Sequence, residues 1–538
     1  MYAIGIDIGT TTISAVALDC DGAGIVETVT LPNTGGVLGG TAGGTASGVL
    51  SRAADGAAGG VLGGAADGAV GGAAFCPYES VQDPGAILGI VVSVIEKFCG
   101  KYSPIKTIGL SCQMHGIVYI DKRGAAVSPL YTWQDKRGDE PAPGGGSYVQ
   151  LLEKLTGYGD LATGYGAVTH FYNMQNRLVP DGAASLCTIG DYVAMKLTGG
   201  TRCATHASNA ASIALYTLGG EHFDGSAIKK AGMEPAFFPA VETGCALFGE
   251  TRGIVYGDGG GVITDKICAG VPVSFCIGDN QASFLGAVAE PDASVLINVG
   301  TGGQISVCGD NLAGGHLLEV RPLSGARCLQ VGATLCAGSA YAALEKFYAS
   351  VLHMAGVAAP GPLYDAMGRS LNCAGSGITG TGTAGDGTIS KGDNGNNAIG
   401  TGASDIEPLI VAPLFSGTRR SPGVRGSITN ISLANFTPER LTSGVLDGIA
   451  EEFYELYRHM DGASTGARSL LIGAGNGLRK NAYLRRTLTK RFGMPMLVPK
   501  NTEEAAVGCA LYALTACGHY ADLTDAQSAI QYEEVETQ

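Results

Sequence analysis

The sequence holds one tryptophan in 538 residues, few basic side chains and no long apolar run, and each scarcity removes a class of function. Lys and Arg number 34 against 48 Asp and Glu, a formal charge of −14, so a nucleic-acid backbone would be repelled over most of the surface and no nucleic-acid partner is expected. That balance still leaves room for a small anionic ligand held by local amides. No stretch reaches ~18 uninterrupted apolar residues, and the chain opens on a strand pattern without a basic leader or cleavage signal, so neither membrane spanning nor secretion is expected. The fifteen cysteines include no C-x-x-C pair, and Cys276 and Cys308 sit inside apolar, strand-like runs. Small buried thiols in a reducing cytoplasm are therefore expected rather than a disulfide framework. Eight histidines without an H-x-x-x-H leave no metal-site spacing.

What the chain does have is length and glycine. At 538 residues it exceeds one ordinary core, and its 45% hydrophobic content suffices for two. Fifteen of the thirty-eight residues from 35 to 72 are glycine, with G-G-V-L-G-G written twice, and ten of the twenty-eight from 375 to 402. Neither tract has the side chains to offset the entropy of ordering, so both read as flexible surface insertions, bounded at 34–74 and 375–404. A phosphate cradle would need a flanking strand and helix, which they lack. Elsewhere strands expected at 2–8, 107–110, 117–120, 273–277, 295–299 and 469–472 alternate with helices at 83–98, 338–351, 438–457 and 502–514. Thr437-Pro438-Glu439 is a helix start, with a hydroxyl cap and proline at the first turn. The alternation indicates an α/β protein, and the junction between its halves is expected near 253–261, giving 1–260 and 261–538.

Two segments about 290 residues apart say nearly the same thing: I-G-I-D-I-G-T-T-T-I-S from Ile4 and I-N-V-G-T-G-G-Q-I-S from Ile297. In each, a strand meets a turn of small residues (Gly9, Thr10, Thr11, Thr12; Gly300, Thr301, Gly302, Gly303) and a second strand returns. Small residues let backbone N–H groups point outward and threonine hydroxyls add donors, which makes a nest suited to phosphate. One such hairpin is an ordinary turn. Two, one per half, indicate a duplicated architecture with both loops at one cleft, coincidence being the alternative. Asp7 ends the first strand, where a bare carboxylate is costly; a magnesium ion would account for it, and so would capping of its own turn. L-L-I-G-A-G-N-G-L-R-K-N, from Leu470 to Asn481, runs a buried strand into Gly473, Gly475 and Gly477 and then a helix near Arg479, so that an adenosine can lie against bare backbone. No acidic residue follows at the spacing of a β-α-β dinucleotide unit, so NAD is set aside.

A phosphate cleft needs an acceptor. C-I-G-D-N-Q-A-S puts Asp279 after a buried strand and before a helical run, where it can take a hydroxyl proton as a sugar oxygen attacks phosphorus, a task an ordinary aspartate pKa serves. A helix N-cap is the alternative. S-C-Q-M-H-G around Gln113 and His115, and T-W-Q-D-K-R-G around Trp133, Asp135 and Arg137, offer hydrogen-bonding groups and a flat apolar surface for a polyol. A satisfied core histidine and a surface ion pair are the alternatives there.

With G-I-D-I-G-T-T at Gly5, Q-M-H-G at Gln113, T-W-Q-D-K-R at Thr132, G-D-N-Q-A-S at Gly278, N-V-G-T-G-G at Asn298 and G-A-G-N-G-L-R-K-N at Gly473 in this order, the sequence resembles the FGGY family of carbohydrate kinases over nearly all its length except the glycine-rich tracts. The resemblance implies a duplicated actin-like (ribonuclease H-like) ATPase fold, two lobes around a central cleft, sugar bound by the N-terminal lobe and nucleotide by the C-terminal one. It implies ATP and magnesium (Mg2+) as cofactors, a small-molecule ketose as partner, and a homodimer as an option. Asp279 would be the general base and Asp7 would hold the metal. Thr10, Thr11, Thr12, Gly300, Thr301 and Gln304 would line the phosphates, and Gly473, Gly475, Asn476 and Asn481 the adenosine. Gln113, Met114, His115, Trp133, Asp135 and Asn280 would hold the sugar. Within the family, T-W-Q-D-K-R, A-T-G-Y-G-A at Ala162 and S-N-A-A-S at Ser208 look most like members acting on sedoheptulose, with xylulose the runner-up. A silent sugar or nucleotide sensor and a protein-directed ATPase are the readings from other classes. Two departures stand out: F-Y-N-M-Q-N-R at Phe171 lacks the family's usual Lys and Trp, and Asn430 stands where glycine is common.

Overall fold

Continuous apolar runs build two sheets, one in each half. In the first, β1 (Tyr2–Ile8), β2 (Thr12–Asp19) and β3 (Ile25–Pro32) form an antiparallel meander. After the helix α1 (Pro84–Lys101), β4 (Ile105–Cys112) returns parallel to β1. β5 (Leu247–Glu250) and β6 (Pro272–Gly278) complete six strands in the order β5-β6-β4-β1-β2-β3. Ile4, Ile6, Ile8, Ile108 and Leu110 are all fully buried, because the inner strands are covered on both faces. The computed structural model describes the chain apart from residues 21–23, 37–77, 253–254, 257–260, 263–267, 311, 316, 359–360, 375–405, 419–422, 463–467 and 534–538. Both expected glycine-rich insertions thus lie almost entirely outside the described residues.

The second sheet repeats the plan. β7 (Ser294–Val299) is antiparallel to β8 (Gly303–Asp310) and parallel to β11 (Leu470–Ala474), as β1 is to β2 and β4. β9 (Glu319–Ser324), β10 (Arg327–Thr334), β12 (Met496–Pro499) and β13 (Tyr532–Glu533) extend it to the order β9-β10-β8-β7-β11-β12-β13. Its helices include α4 (Gly338–Met354), α5 (Pro438–Tyr457), the short α6 (Asn476–Lys480) and α7 (Ala482–Phe492). Thr437 caps α5 through the amide of Arg440, as the sequence predicts.

Three elements tie the halves together: α2 (Ala207–Ile213), α3 (Asp279–Ala287) and α8 (Glu504–Ala516). Although α8 is the last long helix, its Ala506, Val507, Ala510, Leu511 and Leu514 pack with Ala3, Val16 and Leu18 of the first sheet. It crosses α3 at Gly286 and Gly508, where a β-carbon on Gly508 would run into the carbonyl of Ala282 and one on Gly286 into that of Glu504.

Three expectations are corrected. Strand β6 pairs with β4 and β5, so the chain leaves the first sheet after Gly278 and enters the second at Ser294, not near residue 260. The reason is that a parallel sheet recruits a late strand through a crossover, which sequence distance does not show. Cys99 and Cys268 form a disulfide, their Cα atoms 6.2 Å apart because the last turn of α1 lies beside the loop entering β6. The other cysteines described with their side chains, eleven in all, are free thiols as expected. The helix after β11 begins at Asn476 rather than near Arg479, directly after Gly475 turns the chain at φ 79°.

Candidate active site

Both hairpins converge on residues 279 and 280. In the first, Ile8 pairs with Ile13 and the Gly9 amide closes the turn on the Thr12 carbonyl at 3.0 Å, leaving Thr11 and Thr12 exposed. The Thr10 hydroxyl donates to Gln113 Oε1 (2.9 Å) and accepts from Trp133 Nε1 (3.0 Å), so it is tied to these two side chains. In the second, Val299 pairs with Gly303, and Gln304 accepts from Asn280 Nδ2 at 2.9 Å. Gln304 therefore sits beside Asn280, one residue past the Gly300–Gly303 turn rather than within it.

Asp7 and Asp279 come from strand ends that are far apart in sequence and close in space. Asp7 Oδ1 accepts from the Ser111 hydroxyl at 2.8 Å, which displaces the alternative of a self-capped turn. Its carboxyl is pushed up to about 7, by burial first and then by the charges of Asp279 and Glu503, against the Ser111 hydrogen bond. Asp279 is the first residue of α3, and its Oδ1 accepts from the adjacent Asn280 amide at 2.7 Å. Gly278 occupies the cap position, so the N-cap alternative for Asp279 also falls. Burial raises the Asp279 pKa above the ordinary value expected, and the guanidinium of Arg321 opposes the rise.

Next to Asp279 lies a cavity of about 540 Å³, lined by Met114, His115, Tyr165, Ser208 and Ser212 from the first half and by Glu319 and Arg321 of β9 from the second. Arg321 is buried and donates to Glu319 Oε2 from Nε (3.1 Å) and Nη2 (2.7 Å). Sequence reasoning missed this pair; the one signal was two opposite charges flanking a valine in an apolar strand. Gln113 is buried just behind, donating to Gln82 Oε1 at 2.8 Å. Trp133 is 47% exposed and reaches the site only through Thr10.

Asp135 is not brought to the cavity. It is fully buried, and its two oxygens accept from Arg137 Nε (2.7 Å) and Nη2 (3.0 Å) and from the Ser80 amide (3.2 Å). Arg137 is equally buried, reaches Asn173 through Nη1 and lies 4.2 Å from the centre of the Tyr131 ring. The expectation of a sugar contact is corrected, as is the alternative of a surface ion pair: the turn at 132–135 folds this carboxylate inward.

On the other side a larger cavity, about 1280 Å³, brings Gly300 and Thr301 together with Asn476 and Asn481. Gly473 and Gly475 do not line it. Gly473 lies in β11 against Met496 and Leu478, and Gly475 turns the backbone beside Asn298. The Asn481 side chain also caps α7 through the Leu484 amide at 3.0 Å. Tyr341, Lys346, Tyr364 and Arg369 line this cavity too and carry no motif that would have named them.

The acids Asp7, Asp279 and Glu503 carry like charge, and among the described residues Arg321 is the cation that opposes it at Asp279, with none acting on Asp7. Among the described residues no group of three His, Cys, Asp or Glu side chains is placed to chelate a metal. That donor set suits magnesium, which keeps most of its waters and takes one or two carboxylates, and not a caged metal. Among the described residues no helix is long and apolar enough to cross a membrane.

The N-terminal domain of the FGGY family of carbohydrate kinases matches residues 76–286, and its C-terminal domain matches residues 361–517. Sedoheptulokinase of Homo sapiens is 24% identical over 436 residues, which cover 76% of this chain and 80% of that protein. The solved structure of xylulose kinase from Rhodospirillum rubrum matches with a TM-score of 0.73 at 18% identity, over 99% of this chain and 93% of that one. Plasmodium falciparum glycerol kinase with ADP matches with a TM-score of 0.68 at 16% identity, over 99% and 94%. The fold is the α/β, duplicated, actin-like one, with two lobes about a cleft.

Proposed function

Because the chain belongs to the FGGY family of carbohydrate kinases and is a carbohydrate kinase, we propose that it transfers the γ-phosphoryl group of ATP to the terminal primary hydroxyl of a ketose, with sedoheptulose giving its 7-phosphate as the preferred reaction. The observation that carries this reading is the meeting of Asp7 and Asp279 at the ends of β1 and β6, the two strands that flank β4, where the charge of Asp279 reaches Asp7. Asp279 accepts the hydroxyl proton as the sugar oxygen bonds to the γ-phosphorus, and the bond from phosphorus to the β,γ-bridging oxygen breaks, releasing ADP. Phosphoryl transfer asks for position and charge neutralisation more than for a strong base. The exposed Thr11 and Thr12 of the first turn and Thr301 of the second receive the phosphates, and Asn476 and Asn481 flank the adenosine. Magnesium, when bound through water at Asp7, would neutralise the phosphate oxygens and the crowded carboxylates. Gln113, Met114, His115 and Asn280 orient the sugar from the N-terminal half, and Arg321 limits the rise of the Asp279 pKa.

The acceptor rests on the T-W-Q-D-K-R and S-N-A-A-S motifs, on the sedoheptulokinase relative and on a cavity of about 540 Å³, roomier than a three-carbon polyol requires. ADP release measured with glycerol, xylulose, sedoheptulose and six-carbon ketoses should give the highest kcat/KM for sedoheptulose. A clear win for glycerol or a five-carbon ketose overturns the substrate, and hydrolysis that no sugar stimulates overturns the kinase mechanism at this site. Asp279→Asn should lower kcat by about 10²–10⁴-fold, the share general base catalysis supplies.

A further inference from the structure

The S-N-A-A-S segment lies in α2, whose polar groups reach both the strand end before Asp279 and His115. Ser208 Oγ accepts from the amide of Gly278 at 3.0 Å, immediately before Asp279. Asn209 Nδ2 donates to the carbonyl of Cys276 at 3.0 Å in the same strand. At the far end of the helix, Ser212 Oγ accepts from the His115 amide (3.1 Å), and the Ser212 carbonyl lies 2.9 Å from His115 Nδ1. The Ser212 hydroxyl proton goes to the Asn209 carbonyl at 2.8 Å, so Ser212 is itself fixed.

These contacts determine more than distance. A carbonyl only accepts, so His115 Nδ1 carries a hydrogen and donates it to the Ser212 carbonyl, which fixes the plane of the ring. His115 adopts φ 74°, a left-handed conformation that a β-carbon disfavours, and the Ser212 pair together with the Tyr165 ring stacked at 4.5 Å and 4° maintain it. Ser208 is set from behind. His206 Nδ1 accepts from the Ser208 amide (3.2 Å) and so also takes the Ser208 hydroxyl proton (2.8 Å), leaving the Ser208 oxygen to accept from Gly278. Burial pushes His206 down to about 4, which keeps the ring neutral. Ser208 and Asn209 are fully buried and Ser212 nearly so, and hydrogen bonds away from water hold geometry firmly.

We propose that α2 is the positioning element of the site: Ser208, acting through Gly278, sets the Asp279 carboxylate, and Ser212, acting through His115, sets the imidazole. One buried helix thereby fixes the separation between proton acceptor and sugar. The proposal rests on the reading of Asp279 as the base.

Its two ends fail differently, and that is the test. Ser208→Ala should lower kcat about tenfold or more with the sugar Kd within twofold of wild type, since a displaced base slows the transfer step without loosening the sugar. Ser212→Ala should raise the sugar KM and Kd about tenfold with kcat at saturation within twofold. The sugar Kd is read without turnover from the fluorescence of Trp133, the only tryptophan, whose indole donates to Thr10. A nucleotide Kd within twofold of wild type and a cooperative melt certify each variant. Should an alanine variant lose its melt, Ser208→Cys and Ser212→Cys, close in shape and poor in hydrogen bonding, carry the same comparison. If kcat and sugar affinity fall together in both variants, or neither moves, α2 is only packing and the proposal is overturned. Asp279→Asn, assayed alongside, separates the two layers. Turnover at the wild-type rate would remove the base assignment itself, whereas an inert Asp279→Asn with unsplit serine variants would remove the positioning role alone.

Discussion

Asp135 and Arg137 stand two residues apart, and spacing alone cannot say whether such a pair meets a ligand, water or the core. Here both are buried, and the guanidinium is shared among two carboxylate oxygens, Asn173 and the Tyr131 ring. Asn173 belongs to the F-Y-N-M-Q-N-R stretch that departs from the family pattern, so that departure has a structural partner. Asp135→Asn leaves the buried Arg137 cation with only the partly exposed Glu79, 3.9 Å away, as counter-charge and should lower stability by about 3–5 kcal/mol in a urea titration, whereas a loss below about 1 kcal/mol would show the pair to be dispensable. The other departure is explained by backbone geometry: Asn430 sits at φ 60°, where asparagine is among the few residues that replace glycine. Asp7 and Asp279 were legible because a lone carboxylate in an apolar strand is expensive and demands a reason. Arg321 and Glu319 were not, since two charges at i and i+2 on an edge strand read as a solvated face, and only the packing of β9 over Asp279 turns that face inward.

At the scale of elements, the inner strands and long helices follow from local chemistry. Helix α5 spans the expected Pro438–Tyr457, because its cap, its first-turn proline and its apolar period agree. What local chemistry misses is how closely two elements approach. Where α3 and α8 cross, the β-carbon that Gly508→Ala would add meets the Ala282 carbonyl. Alanine would favour an isolated helix by about 1 kcal/mol, yet the clash should make the variant less stable by about 1–3 kcal/mol net, read from the denaturation midpoint. A variant at least as stable as wild type would show that the crossing has slack.

On the scale of the whole molecule, the first sheet is finished by the end of the chain. Ala3, Val16 and Leu18 are covered by residues of α8, about 500 positions later. A fragment of residues 1–288 should therefore lack a cooperative melt and dispersed amide resonances, although it contains every strand of the first sheet, because it exposes the apolar face that α8 covers. A fragment that melts cooperatively would mean that the halves are independent. The sequence by itself determined the α/β class and the two matching hairpins, because each is written in a few adjacent residues whose burial or bareness has a local cost, and its six ordered motifs carried the likeness to the kinase family. Only the tertiary structure decided where the halves divide, that Asp135 turns inward, that β9 supplies Arg321 and that α2 links Gly278 to His115. Those facts depend on which distant surfaces exclude water from each other, and no short stretch of chain carries that information.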